Sequence, residues 1–163
     1  MTPQPPIGAL ASAWHASIEA MGQASGVGID LVEVELLRQL LVAGGRSFVD
    51  AAWTAREQRD TNRQPEALAG KWAAKEAVMK ALQHGIGDMD PRDVEIVTTP
   101  IGAPRVELHR AARSIARQNR ITTWHVSVTH EGGWAAAIAV ASSQPHLKLI
   151  DSASTTNERR SLG

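Results

Sequence analysis

The hydrophobic residues of this chain switch repeatedly between a spacing of two and a spacing of about 3.6 residues, and this limits the possible folds more than any other feature. Strictly alternating apolar residues indicate a β-strand with one buried face, whereas helical spacing indicates an amphipathic helix. In chain order, the spacings predict one strand, three helices, two strands, one helix and a final hairpin. This order predicts a single α+β domain with a largely antiparallel sheet packed against helices.

The first predicted strand is GVGIDLV. Because successive side chains of a strand point to opposite faces, Val27, Ile29 and Leu31 share one face. Gly28 and Asp30 share the other, so Asp30 points away from the main apolar row. Aspartate is an unusual residue within a strand, and Asp30 is therefore a candidate site residue.

Three predicted helices follow this strand. VELLRQLLVAGG has leucines at helical spacing and is expected to end at Gly44 and Gly45, because glycine commonly ends helices. Thr54 and Glu57 have the spacing of a capping box, which predicts the start of the second helix. Pro65 marks the start of the third helix, since proline is favoured at the first helical position.

Two pairs of strands complete the predicted domain, which spans 26–141. DVEIVTT and RVEL are joined by the turn-rich PIGAP, TWHVSVTH and WAAAIAVA are joined by EGG, and a helix over 108–119 separates the two pairs. Residues 1–25 are expected to be a poorly ordered extension or, alternatively, a short docking helix. The polar residues 142–163 are expected to be a disordered tail.

Composition excludes several classes of function. The formal net charge is zero, so the chain lacks the global field that non-specific binding to nucleic acids or anionic membranes requires. No apolar run approaches the roughly 20 residues of a membrane helix. The chain contains no cysteine, which leaves histidine and carboxylates as metal ligands and is typical of a reducing compartment. We therefore expect a cytoplasmic protein without nucleic-acid or membrane partners.

The stretch LAGKWAAKEAVMKAL places charged residues on a helix face that should be buried. At about 100° per residue, Trp72 and Met79 lie on one stripe, which also contains Lys75 and is bordered by Glu76. Two interpretations are open. In the first, Lys75 keeps its ammonium in water while Glu76 pairs with Lys80 one turn later. In the second, Glu76 is held beside the core to bind a cation, because an unpaired buried carboxylate is strongly unfavourable.

Asp30 supplies a second carboxylate for the cation-binding interpretation. Two carboxylates without a cysteine or a histidine pair suit a hard cation such as Mg²⁺, with Mn²⁺ as the alternative. Mg²⁺ keeps several waters and takes further ligands from substrate phosphates, so a phosphate-bearing substrate is expected. Lys71, Lys75 and Lys80 of the same predicted helix would supply the countercharge to these phosphates.

Three segments of the chain resemble, in order, the signatures of a known family. GVGIDLVEVE, LAGKWAAKEAVMKAL and VSVTHEGGWAAAIAV are similar to the signatures of the holo-acyl-carrier-protein synthase type of 4′-phosphopantetheinyl transferase. The resemblance extends over residues 26–141. It implies a Mg²⁺-dependent transfer of phosphopantetheine from coenzyme A to a serine hydroxyl of an apo acyl carrier protein, which releases adenosine 3′,5′-bisphosphate.

The resemblance also implies roles for individual residues. Asp30 and Glu76 match the metal ligands of the family, and Lys75 and Lys80 match lysines expected at the phosphates of the coenzyme. His130 matches a histidine near the coenzyme, either as a catalytic base or as a nucleotide contact. Glu76, Lys80 and His130 are thus the catalytic candidates, and either Glu76 or a water molecule at the metal accepts the serine proton. The family is typically a homotrimer with interfacial sites, so one site is expected to use residues of two chains.

Two residues depart from the pattern of the family. Leu36 stands where the family usually has arginine, which removes a cationic contact to the carrier protein or the coenzyme unless Arg38 replaces it. Lys71 also replaces an arginine and is expected to bind coenzyme phosphate without the bidentate geometry of arginine. A non-catalytic module that binds coenzyme A or a carrier protein is therefore the alternative function, and a metal-dependent phosphohydrolase is a third. The carrier is expected to serve either fatty-acid or polyketide biosynthesis.

Overall fold

The computed structural model describes residues 23–85 and 87–143. The described residues form, in chain order, β1 (Gln23–Glu33), α1 (Val34–Ala52), α2 (Ala55–Asp60), α3 (Pro65–Ala81), β2 (Val94–Thr98), β3 (Pro104–Leu108), α4 (Arg110–Gln118), β4 (Ile121–Glu131) and β5 (Trp134–Ser143). This order confirms the predicted order of strands and helices. None of the described helices is long and apolar enough to cross a membrane.

The predicted terminal segments fall largely outside this description. Residues 1–22 and 144–163 are not among the described residues. The remaining parts of the two segments belong to strands, because 23–25 begin β1 and 142–143 end β5. The sheet therefore extends slightly beyond both predicted boundaries of the domain.

The strands form two antiparallel sheets. β5 lies in the centre of a three-stranded sheet, between β1 and β4, while β2 and β3 pair with each other in a separate hairpin. The predicted α+β class and its antiparallel pairing are confirmed, whereas the single sheet is divided in two. The last described strand pairs with the first, so β1 and β4 are separated by the width of β5.

α3 is the central helix and packs on the inner face of the three-stranded sheet, and most of its residues are buried. Ala73, Ala74 and Ala77 have no exposed surface and belong to the same core cluster as Ala137 and Ala139 of β5. Alanine side chains on both surfaces allow the helix to pack closely against the sheet.

β1 lies so close to α3 that only glycine fits at two positions of the strand. A Cβ atom added at Gly26 would lie 2.2 Å from the carbonyl oxygen of Ala81, and one added at Gly28 would lie 1.9 Å from that of Ala77. Alanine at either position would therefore clash with the backbone of the helix. The two glycines set the separation of β1 and α3, and this brings Asp30 close to the helix.

α1 continues beyond the two glycines that were expected to end it. Gly45 has φ 55° and ψ −147°, which is not helical, and the helix resumes after it and ends at Ala52. Glycine adopts a positive φ at little cost, so α1 consists of two helical segments joined at Gly45. The predicted capping box before α2 is confirmed, because Thr54 and Glu57 each accept a hydrogen bond from the backbone N–H of the other.

The outer face of the three-stranded sheet is apolar and exposed where β1 and β5 form it. Val27, Ile29 and Leu31, the main apolar row of β1, are each more than half exposed. Ile138 of β5 pairs with Ile29 and is exposed as well. The opposite face of β1, which carries Asp30, packs on α3. An apolar sheet face of this kind is typical of a surface that binds another protein.

Candidate active site

Asp30 lies on the inner face of β1, and its side chain is only 10% exposed. Its Oδ1 accepts a hydrogen bond from the ammonium of Lys80, with 2.7 Å between the two atoms. The same ammonium donates to the backbone carbonyl of Ile29 at 3.1 Å. Lys80 lies in the last turn of α3, and its side chain is 50% exposed. The ion pair is therefore open to solvent on the side of the lysine.

Glu76 lies one turn before Lys80 on α3 and lines the same groove as Asp30. We call this cavity of about 280 Å³ the Asp30–Glu76 groove. Its other walls are largely apolar and include Leu36, Leu37 and Leu40 of α1, Trp72 of α3 and Trp134 of β5. The two carboxylates predicted to hold a metal thus lie in one groove with mostly apolar walls.

The charges of this groove are not balanced. Burial and, after it, the charge of Asp30 raise the pKa of Glu76, whereas Lys80 and a hydrogen bond with the Trp72 side chain oppose this rise. The single lysine therefore does not compensate both carboxylates. A divalent cation would supply the missing positive charge and fits these donors, since Mg²⁺ prefers carboxylate oxygens. Glu33 also lines the groove but is exposed, so Asp30 and Glu76, the less exposed carboxylates, are the residues that could hold it.

A second acidic cluster, formed by Glu95, Glu107 and His109, lies outside this groove. Its possible ligand atoms lie within 4.8 Å of one another. The members already have partners, because Glu95 accepts hydrogen bonds from Thr54 and His109. Glu107 forms ion pairs with two arginines. The negative charge of this cluster is therefore already compensated by protein groups. The Asp30–Glu76 groove is the better candidate for a cation site.

Lys75 is buried and does not line the groove. Its ammonium donates to Glu57 Oε2 at 2.8 Å and to the backbone carbonyls of Pro91 and Val94 at 2.9 and 2.6 Å. Neither Lys75 nor Glu57 has exposed side-chain surface. The ammonium is therefore not in water, because its three donors are used inside the protein. The role of Lys75 at a coenzyme phosphate stays a prediction.

Glu57 is the partner that sequence reasoning missed. The capping-box spacing predicts its contact with the backbone of Thr54, and this hydrogen bond is 2.8 Å long. The carboxylate also accepts the N–H of Ile96 at 2.8 Å and pairs with Lys75. One buried carboxylate therefore joins α2, α3 and β2. No local spacing relates these segments, so only the capping contact could have been found from the sequence.

Lys71 is almost fully buried and lines a second cavity, of about 300 Å³, together with His130. We call this cavity the His130 groove. The Lys71 ammonium donates hydrogen bonds to the Ile96 carbonyl and the Thr98 hydroxyl, and it lies 3.6 Å from an Asp60 oxygen. Burial lowers the pKa of Lys71, although Asp60 opposes this effect. The role of Lys71 at a coenzyme phosphate stays a prediction.

His130 lies near the end of β4 and packs against the first turns of α3. Its Nε2 donates a hydrogen bond to the backbone carbonyl of Glu66 at 2.9 Å. A Cβ atom added at Gly70 would lie 2.8 Å from the His130 ring, so glycine leaves room for the imidazole. His130 also lines a larger cavity of about 640 Å³ that contains neither Asp30 nor Glu76.

Within one chain, most of the predicted site residues are divided between two grooves. Asp30, Glu76 and Lys80 lie together where β1 meets the second half of α3. Lys71 and His130 lie together in the His130 groove. The two places are separated because β5 lies between β1 and β4.

Comparisons with known proteins agree with the resemblance of the motifs. A profile of the 4′-phosphopantetheinyl transferase superfamily matches residues 26–139. A holo-acyl-carrier-protein synthase of Alkaliphilus oremlandii is 38% identical over 119 residues, which cover 71% of this chain and 97% of that protein.

Solved structures of the same kind of enzyme share the fold. The holo-acyl-carrier-protein synthase of Helicobacter pylori, in complex with coenzyme A, has a TM-score of 0.66 at 28% identity and covers 71% of this chain and 99% of that one. The acyl carrier protein synthase of Mycobacterium tuberculosis has a TM-score of 0.59 at 38% identity, over 74% of this chain and 99% of that one. From the profile match, the sequence identity and the shared fold, we conclude that the chain belongs to the 4′-phosphopantetheinyl transferase superfamily.

Proposed function

We propose that Asp30, Glu76 and Lys80 form the reaction centre of a Mg²⁺-dependent phosphopantetheinyl transfer. As an enzyme of the holo-acyl-carrier-protein synthase type, the chain transfers the 4′-phosphopantetheine group of coenzyme A to a serine hydroxyl of an apo acyl carrier protein. The observation that carries the proposed reaction centre is the pair of carboxylates in one groove, with the ammonium of Lys80 paired to one of them.

The transfer forms one P–O bond and breaks another. The serine oxygen attacks the phosphorus atom that carries the pantetheine arm, and the serine proton passes to a base. The bond from this phosphorus to the bridging oxygen breaks, which releases adenosine 3′,5′-bisphosphate. Such a reaction depends on alignment of the two oxygens and on neutralisation of the charge that develops on the diphosphate. The protein must therefore provide positive charge beside the diphosphate.

The residues of the groove are suited to this task. Bound Mg²⁺ would neutralise charge on the diphosphate, and Asp30 and Glu76 would hold it through carboxylate oxygens. Lys80 would add a second positive charge, because its half-exposed ammonium can reach a phosphate oxygen while its stem stays beside Asp30. The walls of the groove beside the carboxylates are mostly apolar, and charge interactions next to such walls are stronger than in bulk water.

We further propose that the coenzyme lies between two subunits of a homotrimer. The relative from Helicobacter pylori was solved in complex with coenzyme A, which supports coenzyme A as the second substrate of this chain. The exposed apolar face of β1 and β5 provides a surface for assembly. In the assembly, the His130 groove of one subunit would face the Asp30–Glu76 groove of the next, so that Lys71 and His130 contact the coenzyme.

The reaction can be tested by intact-protein mass spectrometry of an apo acyl carrier protein incubated with this chain, coenzyme A and Mg²⁺. We expect the mass gain of one phosphopantetheine, its loss with a chelator, and its return with added Mg²⁺. Asp30→Asn and Glu76→Gln are expected to abolish the gain. Asp50→Asn, which changes an exposed carboxylate of α1 outside the groove, is the matched control.

Other results would identify another function. Binding of coenzyme A without a mass gain on any carrier protein would support a non-catalytic binding module. Release of phosphate from coenzyme A without a carrier protein would support a phosphohydrolase. A mass gain that persists with chelator would contradict the assignment of the metal.

Subunit mixing tests the proposed interfacial site. Asp30→Asn and His130→Ala are each expected to be nearly inactive as homogeneous assemblies. If one site uses Asp30 of one chain and His130 of another, random co-assembly of the two variants restores about one quarter of the wild-type sites. No recovery after verified subunit exchange would show that Asp30 and His130 of different chains do not share a site.

A further inference from the structure

The carboxylate of Glu76 accepts a hydrogen bond from one side chain among the described residues, the indole of Trp72. Trp72 lies one turn before Glu76 on α3, and both residues line the Asp30–Glu76 groove. Residues four apart share one face of a helix, so the indole lies beside the carboxylate. Lys80, four residues beyond Glu76, pairs instead with Asp30 at 2.7 Å. The indole N–H is therefore the contact that can fix the orientation of the Glu76 carboxylate.

The indole of Trp72 is itself held by aromatic packing. Its ring centroid lies 5.4 Å from that of Trp53, and the two ring planes are inclined by 54°. Trp53 is only 1% exposed, and it packs edge to face with Phe48 at a centroid distance of 5.7 Å. Such aromatic pairs prefer specific geometries, and a packed interior leaves a ring little room to turn. The N–H of Trp72 therefore keeps a fixed position in the groove.

Tryptophan is chemically suited to hold a metal ligand in place. The indole N–H donates a hydrogen bond and offers no acceptor, so it does not compete with the carboxylate for a cation. An ionised carboxylate has about four lone-pair sites, and one of them can accept the N–H while others bind the metal. Residues that orient metal ligands in this way typically change metal affinity by about ten- to a hundredfold.

We propose that Trp72 is a positioning residue, whose indole N–H holds the Glu76 carboxylate towards Asp30 so that both carboxylates bind one Mg²⁺. The inference rests on the proposed function, because it concerns the metal of that reaction centre. Trp72 acts through Glu76 and takes no part in the bond changes of the transfer. Without the N–H, the carboxylate is free to rotate away from the metal. The loss should therefore be seen first in the affinity for Mg²⁺.

Calorimetric titration of the protein with Mg²⁺, without coenzyme or carrier, tests this role apart from the transfer reaction. Trp72→Phe keeps an aromatic ring against Trp53 but removes the indole N–H. We expect its Kd for Mg²⁺ to rise about tenfold. Trp134→Phe is the matched control, because Trp134 lines the same groove but is not a hydrogen-bond donor to Glu76. The Kd of this control should stay close to that of the wild type.

The dependence of the transfer rate on Mg²⁺ separates positioning from a general loss of structure. At limiting Mg²⁺, Trp72→Phe should transfer about tenfold more slowly than the wild type. At saturating Mg²⁺, its rate should recover to within about threefold of the wild type, because the excess metal fills the weakened site. A purely structural role of Trp72 predicts the same fractional loss at every Mg²⁺ concentration.

The ¹H–¹⁵N signal of the Trp72 indole reports on the contact in the wild type and needs no folded variant once it is assigned. We expect this signal to shift as Mg²⁺ is added, with the midpoint found by calorimetry, since the metal withdraws electron density from the carboxylate that accepts the N–H. The indole signal of Trp53, which is buried away from the groove, should shift less.

Three results would overturn the proposal. The first is a Kd for Mg²⁺ in Trp72→Phe equal to that in Trp134→Phe. The second is a rate loss in Trp72→Phe that saturating Mg²⁺ does not reduce. The third is a Trp72 indole signal that stays in place while calorimetry shows that Mg²⁺ binds. Failure of the proposed function is a separate result, in which the wild type itself binds no Mg²⁺ or adds no mass to a carrier.

Discussion

Two lysine–carboxylate pairs of α3 have nearly the same geometry but very different surroundings. Lys75 and Glu57 lie 2.8 Å apart and have no exposed side-chain surface, whereas Lys80 and Asp30 lie 2.7 Å apart with 50% and 10% of their side chains exposed. Lys75 has two further backbone acceptors in the interior. Residue type and distance therefore do not reveal what such a pair does.

The two pairs differ in whether a ligand can reach them. The buried pair is a closed set of donors and acceptors, and breaking it leaves an uncompensated charge in the core. The exposed pair lies beside Glu76 in an open groove, where a cation or a phosphate can reach it. We therefore expect the Lys75–Glu57 pair to determine stability and the Lys80–Asp30 pair to determine activity.

Glu57→Gln is expected to have the largest effect on stability. The amide keeps the shape of the side chain but leaves the buried Lys75 ammonium without a countercharge. Breaking a buried pair in this way lowers the free energy of unfolding by about 3–5 kcal/mol. Chemical denaturation measures the change, and a loss below about 1 kcal/mol would contradict the proposed role of the pair.

The double substitution Glu57→Gln with Lys75→Met is the control for this effect. It removes both charges, so it is expected to recover more than half of the lost stability. If the double variant is as unstable as the sum of the single variants, the two side chains act independently and the pair is not the cause.

Asp30→Asn is expected to lower the transfer rate at least about a hundredfold, because it removes a metal ligand from the reaction centre. The free energy of unfolding should change by less than about 1 kcal/mol, since the partner ammonium is half exposed and screened by solvent. Transfer rates and denaturation curves of the same preparation measure both effects. A near-normal rate would contradict the assignment of Asp30.

Lys80→Met is expected to lower the transfer rate about tenfold, less than the loss of a metal ligand, because it removes one of two positive charges beside the diphosphate. Stability should change little, as for Asp30→Asn. Lys80→Arg keeps the charge and is expected to retain more activity than Lys80→Met. Equal rates of the two variants would show that the charge of Lys80 is not used.

The smallest effect is a pH dependence of metal binding. Burial and Asp30 raise the pKa of Glu76, so a proton competes with the cation at a higher pH than at an ordinary glutamate. Below the raised pKa, affinity for Mg²⁺ should fall by up to about tenfold per pH unit. Calorimetric titration at several pH values measures this change, and Glu76→Gln should weaken binding and remove its contribution to the pH dependence.

The same raised pKa determines the sign of a stability effect without metal. The folded chain binds a proton at Glu76 more tightly than the unfolded chain does. Stability should therefore increase as the pH falls from the raised pKa towards the ordinary value. The contribution of Glu76 is the stability–pH profile of the wild type minus that of Glu76→Gln. A contribution that decreases as the pH falls through this range would contradict the raised pKa.

The order of the elements was predictable because it depends on local spacing. The pairing of Asp30 with Glu76 does not follow from local spacing, since the two residues lie on different elements, and it was expected from the resemblance of the motifs. The capping box at Thr54 and Glu57 is also a local pattern and was found correctly. Gly45 was expected to end α1 but only interrupts it, because the spacing of residues does not show whether the chain resumes a helix after one left-handed residue.

The depth of Lys75 and the position of His130 were not predictable from spacing. A helical period gives the direction of a side chain but not how much protein covers it, and α3 is buried nearly all round. The separation of His130 from Asp30 depends on the position of β5 between β4 and β1, which no local pattern specifies.

A side-by-side measurement of Glu57→Gln and Asp30→Asn tests the division between the two pairs most directly. Transfer to an apo carrier is measured per folded molecule below the melting temperature, together with the melting temperature itself. We predict that Glu57→Gln melts about 10 °C below wild type yet transfers within about threefold of its rate. Asp30→Asn should melt within about 2 °C of wild type yet transfer at about 1% of its rate or less. Normal transfer by Asp30→Asn, or an unchanged melting temperature in Glu57→Gln, would contradict this division.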